Sequence, residues 1–536
     1  MIRFNIISIR RWAGLSLALF VLNFALTFHN VWPTLAITTR HEFSVEIAVL
    51  ILVLALYSRF IRPLSTRILT VTALLLTAMT IARYIEVTAP ALFGRRINLY
   101  WDAKYIPHVT EMLVEVANPL MVTLIITGGL LALAGIFTSL RLALKRISTG
   151  LANTVEQRVV ATTMGLMIII FAAGYSGLPL QRVIMFSIPI TKTYWQQAEF
   201  IATVIADEAN DVLPDTEPLG NFELPRLGNA DVVVQFIESY GAVAFDSPIV
   251  SEIIAASHEQ FANTIKNTDR RVVSAFIQSP TFGGNSWLAH SSFMTGLDIK
   301  HLSTYDLLLT QDRPTMASRF AALGYRPVAL MPGLRAEWPE GMFYKFEDIY
   351  GAKKLNYNGP EFGWWRIPDQ FSLAKLAESE MGNDPRDPLF LFFTSISSHM
   401  PFRPTPPYQQ DWPRILSDNP FEKQALDKSL SLLPEWKNMQ PGYAETLAYT
   451  FTYISGFLSK QQDRDLVWII IGDHQPPANV SGKDVRWDVP VHIVSENSEI
   501  IAALLQSGFT EGMTPANLPI STMHELPVTL LTAFTQ

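Results

Sequence analysis

The hydrophobic pattern of the chain changes near residue 180. Before it, five long apolar stretches lack the polar face, repeating every 3.6 residues, of a soluble amphipathic helix. Each is close to the ~20 residues that a helix needs to cross a bilayer, although the second reaches that length only if it begins near Phe43. They are Trp12–His29, Val45–Tyr57, Ile68–Ile85, Pro119–Leu140 and Val159–Leu178. The pattern predicts a five-helix transmembrane domain over residues 1–180.

Charged loops predict the orientation of these helices. Lys and Arg concentrate in the loops on the side of the N-terminus, as at Arg59, Arg62 and Arg67. This bias places the N-terminus in the cytoplasm, and an odd number of spans then places the rest of the chain outside it. The aromatic loop Glu86–Asn118 is either a plain connection with interfacial anchors or a surface that presents a lipid.

Residues 181–225 are expected to form an interfacial helix and a linker. Helical periodicity around Tyr194 and Trp195 continues until Pro214, Pro218 and Gly220 break it. An aromatic amphipathic helix just after the last span is suited to lie along the outer leaflet.

From residue 226 onward, short apolar runs alternate with helical segments. The predicted strands are Val232–Ile237, Val272–Ile277, Pro327–Met331, Leu389–Ser395, Leu466–Ile471 and Val489–Val494. The predicted helices include Ser251–Lys266, Thr315–Gly324, Phe371–Glu380 and Tyr443–Lys460. Near-continuous apolar strands between helices predict an α/β domain over residues 226–536, with a mainly parallel sheet flanked by helices. Ligands of such sheets bind beyond the carboxyl ends of the strands.

Composition supports the membrane part and excludes several functions. The 536 residues are 49% hydrophobic and only 17% charged, and the mean hydropathy is positive at +0.21. A net charge of −7 gives no support for nucleic-acid binding. The absence of cysteine excludes thiolate metal sites, a cysteine nucleophile and disulfides.

Two of the predicted strands end in metal-ligand residues. The run Ile469-Ile-Ile stops at Gly472 and is followed by Asp473 and His474, and Val232–Ile237 is followed by Glu238. Carboxylates and imidazoles at one edge of a sheet can hold a metal ion. Considered by itself, Glu238 is expected to be a solvated loop carboxylate. Considered together with Asp473 and His474, it is a candidate third ligand.

A candidate nucleophile and a candidate phosphate contact follow two other strands. Gly283 and Gly284 precede Ser286 at a predicted helix start, where backbone N–H groups and the helix dipole favour an anion. The alternatives are that Ser286 is an ordinary N-cap, or that Ser291, Ser292 or Thr281 is the nucleophile. His399 follows Leu389–Ser395, either to contact an anionic substrate or protonate a leaving oxygen, or as a structural loop residue.

One further segment is a candidate acceptor groove. Trp364, Trp365, Arg366 and Asp369 lie in an unusually aromatic stretch. Rings stack on sugars and an Arg fork binds phosphate. The alternative is a loop whose aromatic rings cover the edge of the sheet.

The ordered set Glu238-Ser-Tyr-Gly, Gly-Gly-Asn-Ser286, Ser-Ser-His399-Met-Pro-Phe and Gly-Asp473-His474 resembles the membrane-anchored branch of the alkaline phosphatase and sulfatase superfamily. Within it, the similarity is to lipoteichoic acid synthase, phosphoglycerol transferases and phosphoethanolamine transferases. The resemblance implies that Glu238, Asp473, His474 and the Ser286 hydroxyl bind a divalent metal, Mn²⁺ or Zn²⁺. Ser286 would form a phospho-enzyme intermediate, with His399 against the substrate phosphate or leaving group.

The resemblance also implies partners and a location. The donor would be a membrane phospholipid and the acceptor a glycan or glycolipid, at the outer (periplasmic) face of the bacterial cytoplasmic membrane. The relatives usually use threonine where this chain has Ser286. Lipoteichoic acid synthase has a Trp-x-Arg segment that binds glycerol phosphate. Its nearest counterpart here is Trp338, with Arg335 on the other side, which leaves the head group open. The sulfatase pattern C/S-x-P-x-R is absent after Ser286, and the spacing of His290, His301, His492 and His524 assigns none of them to a second metal.

Three functional hypotheses follow. The first is a metal-dependent transferase of phosphorylated head groups. The second is a hydrolase of the same superfamily that uses water as the acceptor. The third is a catalytically inactive scaffold that retains the fold.

Overall fold

In the computed structural model, the described residues are 6–31, 34–93, 103, 106, 110, 119–175, 186–208, 213–214, 216–335, 338, 340–363, 367–382, 385–461 and 464–535. The chain divides into two compact units. The first comprises Met1–Ala91 and Arg95–Asn210, and the second comprises Leu92–Gly94 and Asp211–Gln536. We call them the helical unit and the α/β unit. The three-part division at residues 180 and 225 stays a prediction.

The helical unit contains long apolar helices. Its elements are α1 (Ile6–Thr27), β1 (His29–Asn30), β2 (Ile37–Thr38), α2 (Val45–Phe60), α3 (Thr66–Phe93), α4 (Pro119–Leu151), α5 (Thr154–Tyr175) and α6 (Ile190–Glu208). Within the described residues, four segments are long and apolar enough to cross a membrane: Ile9–Thr27, Thr66–Ala89, Leu120–Leu151 and Thr154–Gly174. Helix α2 is apolar but has only 16 residues. A fifth span therefore stays a prediction, and the predicted end of the last span at Leu178 lies outside the described residues.

The helix predicted around Tyr194 is present as α6, and its first turn packs against helix α3. Thr193 donates a hydrogen bond to Glu86 at 2.7 Å, and the Tyr194 hydroxyl donates to the carbonyl of Ala82 at 3.1 Å. Trp195 on the same helix is 73% exposed. An amphipathic helix with an exposed aromatic ring is what the sequence predicted; its contact with a leaflet stays a prediction.

The α/β unit is built on one mixed sheet. The described residues contain the strands β3 (Asp231–Ile237), β4 (Arg271–Gln278), β5 (Arg326–Met331), β6 (Asp348–Gly351), β7 (Leu389–Ser395), β8 (Leu466–Gly472), β9 (Asp488–Ser495), β10 (Thr510–Glu511) and β11 (Pro519–Thr522). Their order is β10-β4-β9-β8-β3-β7-β5-β6, with β11 also paired to β4. Strand β9 runs antiparallel to both β8 and β4, β10 runs antiparallel to β4, and the other pairs are parallel. All six predicted strands are present, and the sheet is mostly parallel.

Helices cover both faces of this sheet. They are α7 (Val243–Asp246), α8 (Pro248–Asn267), α9 (Ser286–Thr295), α10 (Leu302–Leu309), α11 (Met316–Ala322), α12 (Gly341–Tyr344), α13 (Ala352–Leu355), α14 (Asp369–Leu376), α15 (Trp412–Ile415), α16 (Lys423–Ser431), α17 (Gln440–Leu458), α18 (Ala478–Ser481), α19 (Ser498–Gln506) and α20 (Leu526–Thr535). A 3₁₀ turn at Pro225–Leu227 precedes β3, and a π-helical turn at Ala377–Met381 continues α14.

The alternation of side chains along β3 divides the core into two layers. Val233 and Ile237 pack into the layer that contains Phe451, whereas Val234 and Phe236 pack into the opposite layer. All seven residues of β3 and of β8 are buried, which explains their continuous apolar sequence. The two strands therefore turn polar only where they end.

Candidate active site

Strand register brings the predicted metal ligands together. Ile237, the last residue of β3, pairs with Gly472 at the end of β8 and with Ser395 at the end of β7. The next residues along each strand, Glu238 and Asp473, consequently emerge side by side at the carboxyl edge of the sheet. This is the edge at which the parallel arrangement predicts a ligand.

Two glycines allow the β3 and β8 ends to approach closely. A Cβ atom on Gly472 would lie 1.8 Å from the carbonyl oxygen of Tyr240. A Cβ atom on Gly241 would lie 2.0 Å from Oε1 of Gln475. Any larger residue at either position would force the segment that carries Glu238 away from the one that carries Asp473 and His474.

The ligand atoms of four predicted residues form a compact cluster. The Ser286 hydroxyl donates to Glu238 Oε2 at 3.0 Å and lies 3.1 Å from His474 Nε2. His474 Nε2 is 3.4 Å from Glu238 Oε1 and 3.8 Å from Asp473 Oδ2. The ligand atoms of Glu238, Asp473 and His474 all lie within 4.8 Å of one another. Separations of this size are those of ligands that share one ion at bond lengths of about 2.0–2.2 Å.

Hydrogen bonds orient the ligands toward a common point. His474 Nδ1 lies 2.8 Å from the carbonyl oxygen of Gln475, so this nitrogen carries the proton and Nε2 keeps its lone pair. Asp473 Oδ1 accepts from the backbone N–H groups of Ser239 and His474, both at 2.7 Å. Ser239 has a φ of 58°, which turns its N–H toward this carboxylate. Asp473 Oδ2 is buried and has no hydrogen-bond partner among the described residues.

The electrostatics of the cluster fit a missing cation. Burial, and then the neighbouring Glu238 carboxylate, raise the pKa of Asp473 well above its ordinary value. Burial also acts to raise the pKa of Glu238, but the imidazoles of His399 and His474 lower it to about 2. A buried and a half-buried carboxylate with one unpartnered oxygen are costly unless a positive charge lies between them. Their chemistry, with one imidazole and one hydroxyl, suits a divalent ion such as Mn²⁺ or Zn²⁺.

The loop before Ser286 is fastened to the metal-ligand segment. Ser279 Oγ donates to the carbonyl of Asp473 at 2.5 Å, and the N–H of Gly283 donates to the carbonyl of Gln475 at 3.0 Å. Gly283 and Gly284 have φ values of 67° and 142°, which favour glycine. Helix α9 begins at Ser286 as predicted, and Asn285 occupies the N-cap position. Ser286 is therefore the first helical residue, aimed at the cluster, and not the N-cap.

The competing nucleophiles point elsewhere. Ser291 and Ser292 are both fully buried, and their hydroxyls donate to the carbonyls of Trp287 and Leu288 in the preceding helical turn. Thr281 is 4% exposed, and its hydroxyl lies 3.5 Å from that of Ser279. The described contacts place only Ser286, of these four, against Glu238 and His474.

The loop after β7 brings His399 to the same edge. The Ser398 hydroxyl donates to the carbonyl of Glu238 at 2.6 Å, and the charge of His399 lowers the pKa of Glu238. Its Nδ1 donates to the carbonyl of Met400 at 2.6 Å, so Nε2 is the basic nitrogen of the neutral ring. Beneath this loop, both carboxylate oxygens of Asp369 accept from the N–H of Ile396, and one also accepts from the N–H of Ser397.

Asp369 is fully buried, and burial raises its pKa to about 6. Its contacts are those of a residue that positions the His399 loop, and a direct contact with substrate stays a prediction. Trp364, Trp365 and Arg366 lie outside the described residues. Trp338 is half-buried and stacks on Tyr344 at 5.4 Å between ring centroids, within a core layer. Arg335 is half-buried; the substrate-binding role of both residues stays a prediction.

The sequence reasoning missed the position of His290. Its Nε2 lies 4.0 Å from Asp473 Oδ2, beside the cluster. A signal was present, because residues four apart share a helix face and His290 is four residues after Ser286. His492 is packed between Tyr240 and Ser274, as expected of a core residue, and His524 lies beside Thr522.

The chain is similar to one known sequence family and to several solved structures. The sequence profile of the family described as Sulfatase matches residues 237–492. No curated protein matches the chain. Among solved structures, the lipooligosaccharide phosphoethanolamine transferase A of Neisseria meningitidis is 14% identical over 92% of this chain and 87% of its own, with a TM-score of 0.48.

Two further solved structures are similar to part of the chain. A phosphoglycerol transferase from Streptococcus pyogenes, in complex with sn-glycerol-1-phosphate, is 15% identical over 62% of this chain and 85% of its own, with a TM-score of 0.37. A protein in the alkaline phosphatase superfamily from Vibrio parahaemolyticus is 16% identical, with a TM-score of 0.34. The match covers 57% of this chain and spans 66% of that protein.

Fold and site together define an α/β domain with a carboxylate, imidazole and hydroxyl cluster at the carboxyl edge of a mostly parallel sheet. The profile match gives the class of this domain: residues 237–492 match the sulfatase family.

Proposed function

We propose that the protein is a metal-dependent transferase that moves phosphoglycerol or phosphoethanolamine from a membrane phospholipid to a glycan or glycolipid. The observation that supports it most is the position of Ser286. Its hydroxyl lies 3.0 Å from Glu238 and 3.1 Å from His474, beside the unpartnered oxygen of Asp473. A serine in a metal-ligand cluster is an activated nucleophile, and a purely structural cluster has no use for one.

The metal and the residues divide the chemistry between them. A divalent cation held by Glu238, Asp473 and His474 would lower the pKa of the Ser286 hydroxyl and neutralise charge on the substrate phosphate. We propose Mn²⁺ or Zn²⁺. The Ser286 oxygen then attacks the phosphorus of the phosphodiester, which gives phospho-Ser286 that carries the head group. The bond from phosphorus to the lipid alcohol breaks in the same step.

His399 is suited to protonate the departing oxygen. Since its Nδ1 is held by the Met400 carbonyl, a proton delivered to the substrate comes from Nε2 of the imidazolium. The resulting neutral imidazole can accept the proton of an acceptor hydroxyl in the second half-reaction. That hydroxyl attacks phospho-Ser286, releases the serine and completes the transfer.

The helical unit supports a lipid donor. Among the described residues, its four long apolar helices are features of a chain anchored in a bilayer. We propose the bacterial cytoplasmic membrane, with the α/β unit on the periplasmic face as the charge bias predicts. A tethered enzyme meets a phospholipid in the plane of the membrane, where the donor is concentrated.

The proposal is tested by mass spectrometry of the full-length protein purified from membranes that contain labelled phospholipid. Wild-type protein should carry one added head-group phosphate on the peptide that contains Ser286. Ser286→Thr should retain the adduct, because threonine offers an equivalent hydroxyl, and Ser286→Ala should lose it. An adduct that persists in Ser286→Ala would contradict the assignment.

The same labelled lipid separates the transferase from the hydrolase and the scaffold. Label that appears in a glycan or glycolipid supports transfer. Release of free head-group phosphate without labelled acceptor would instead establish a hydrolase. Protein that forms no adduct, and whose Ser286→Ala and Glu238→Ala variants support growth as the wild type does, would establish a scaffold.

A further inference from the structure

We propose that His290 is a further ligand of this metal, so that the site holds two imidazoles and not one. The inference rests on the proposed metal site and adds a residue outside the Glu238, Asp473 and His474 cluster. It does not depend on which head group is transferred.

Helix geometry places His290 beside the nucleophile. Helix α9 begins at Ser286, and His290 follows one turn later on the same face. The His290 Nε2 atom lies 4.0 Å from Asp473 Oδ2. That separation is too long for a hydrogen bond, and it is within the span of two ligands on opposite sides of one ion.

The two facing atoms are both unsatisfied. Asp473 Oδ2 and His290 Nε2 are each buried and have no hydrogen-bond partner among the described residues. Buried polar atoms nearly always have a hydrogen-bond partner. Two neighbouring atoms that both lack one therefore indicate that a further group binds between them. A metal ion satisfies both, because it accepts a lone pair from carboxylate and from neutral imidazole alike.

Aromatic packing holds the His290 ring in position to bind the metal. Its centroid is 4.5 Å from that of Phe236 and 5.7 Å from that of Phe392. Both phenylalanines come from adjacent strands of the sheet, so the ring is held by rigid elements. A ligand held in place by packing loses little freedom when it binds a metal.

Another histidine provides the contrast. The Nε2 of His258 is also buried without a hydrogen-bond partner, but its ring packs on Phe451 with centroids 4.3 Å apart. Among the described residues, no carboxylate lies within 4.0 Å of it, whereas His290 faces Asp473. His258 is therefore a matched control: an equally unsatisfied imidazole in the same domain that has no acidic partner.

The experiment counts the nitrogen atoms bound to the metal. Full-length protein in detergent is stripped with a chelator and loaded with Mn²⁺ alone. Pulsed electron paramagnetic resonance then measures the directly bound ¹⁴N nuclei, with ¹⁵N-histidine labelling to identify them. Wild-type protein should show two imidazole nitrogens. His290→Phe, which keeps an aromatic ring between Phe236 and Phe392, should show one, as should His290→Gln.

Affinity gives a second readout. A competition titration with the chelator should show Mn²⁺ bound at least about 10-fold more weakly by both His290 variants. His258→Phe should leave the nitrogen count and the affinity unchanged. One bound nitrogen in wild-type protein, or two that persist in His290→Phe, would overturn the proposal.

These outcomes are independent of the transferase activity. Loaded protein with one bound imidazole that still labels an acceptor would refute the role of His290 and leave the proposed function intact. Two bound imidazoles in protein that labels no acceptor would support His290 as a ligand and refute the transferase.

Discussion

The carboxylates at the two ends of strands β3 and β8 have different kinds of partner. At the amino end, Asp231 is 3% exposed and accepts from Arg386 Nη1 at 2.9 Å, from Arg464 Nη1 at 3.3 Å and from the N–H of Leu389 at 2.8 Å. At the carboxyl end, Glu238 and Asp473 have only imidazoles as ion-pair partners within 4.0 Å among the described residues.

This difference separates a structural acid, Asp231, from the acids of the proposed metal site. A buried carboxylate needs a compensating charge, and Asp231 receives it from two guanidinium groups of the chain. The opposite cluster lacks such a group and leaves Asp473 Oδ2 without a partner. A bound cation would supply this charge, and carboxylates with perturbed pKa values are candidates for a binding site.

Asp473→Asn should abolish metal binding at the carboxyl end of the strands without destabilising the fold. The amide is neutral and a poor metal ligand, so the variant should lose stoichiometric metal, and transfer should fall by about 10⁴-fold. Removal of a buried charge beside Glu238 should leave the metal-free variant unfolding at a temperature no lower than that of metal-free wild type. Elemental analysis, a transfer assay and thermal unfolding measure the three effects. A variant that keeps its metal would refute the role of Asp473.

Asp231→Asn should destabilise the fold at the amino end of the strands and leave metal binding at the carboxyl end unchanged. It removes the carboxylate that pairs with both guanidinium groups, and the expected loss is about 2–4 kcal/mol in the free energy of unfolding. Metal content should stay stoichiometric. Asp427→Asn is a matched control, because its 2.9 Å pair with Lys423 is exposed and should contribute less than about 1 kcal/mol. Metal loss in folded Asp231→Asn would show that the two ends are not independent.

The sequence predicted the strands of the α/β unit well and their directions less well. Fully buried strands have continuous apolar sequences. This also holds for antiparallel β9, which lies between β8 and β4 and is buried along its whole length. Nothing in Val489–Val494 distinguishes it from a parallel neighbour. The short edge strands β6, β10 and β11 were missed because two to four residues carry no readable period.

The clustering of the candidate ligands was predictable where each directly follows a strand. Glu238 and Asp473 are single steps beyond paired residues, so sheet register alone brings them together. His290 was not assigned, because the spacing of the histidines in the sequence does not indicate a shared site. Only its unpartnered Nε2 and the 4.0 Å separation from Asp473 distinguish it. Likewise, the burial of Asp369 beneath the His399 loop depends on tertiary packing that its sequence neighbours do not encode.

His399→Gln should separate metal binding from proton transfer at the carboxyl end of the strands. The variant should keep its metal but transfer about 10³-fold more slowly, since no acid protonates the lipid alcohol. A synthetic phosphodiester with a p-nitrophenyl leaving group needs little protonation, and its cleavage should fall by only about 10-fold. Equal losses with both substrates would assign His399 to phosphate binding instead.

Asp369 shows that a carboxylate at the functional end can still be structural, because backbone N–H groups of Ile396 and Ser397 satisfy it. Its pKa is raised from 3.8 to about 6 by burial, so the folded protein holds this proton more tightly than the unfolded chain does. Below about pH 4 both states are protonated and there is no penalty. As the pH rises from about 4 to 6 the unfolded chain ionises first, and the free energy of unfolding should fall by about 2–3 kcal/mol. Asp369→Asn should lack this fall, and unfolding of both proteins across pH 4 to 7 measures it as their difference. Parallel pH profiles for the two proteins would show that Asp369 ionises in the folded state as easily as in the unfolded chain.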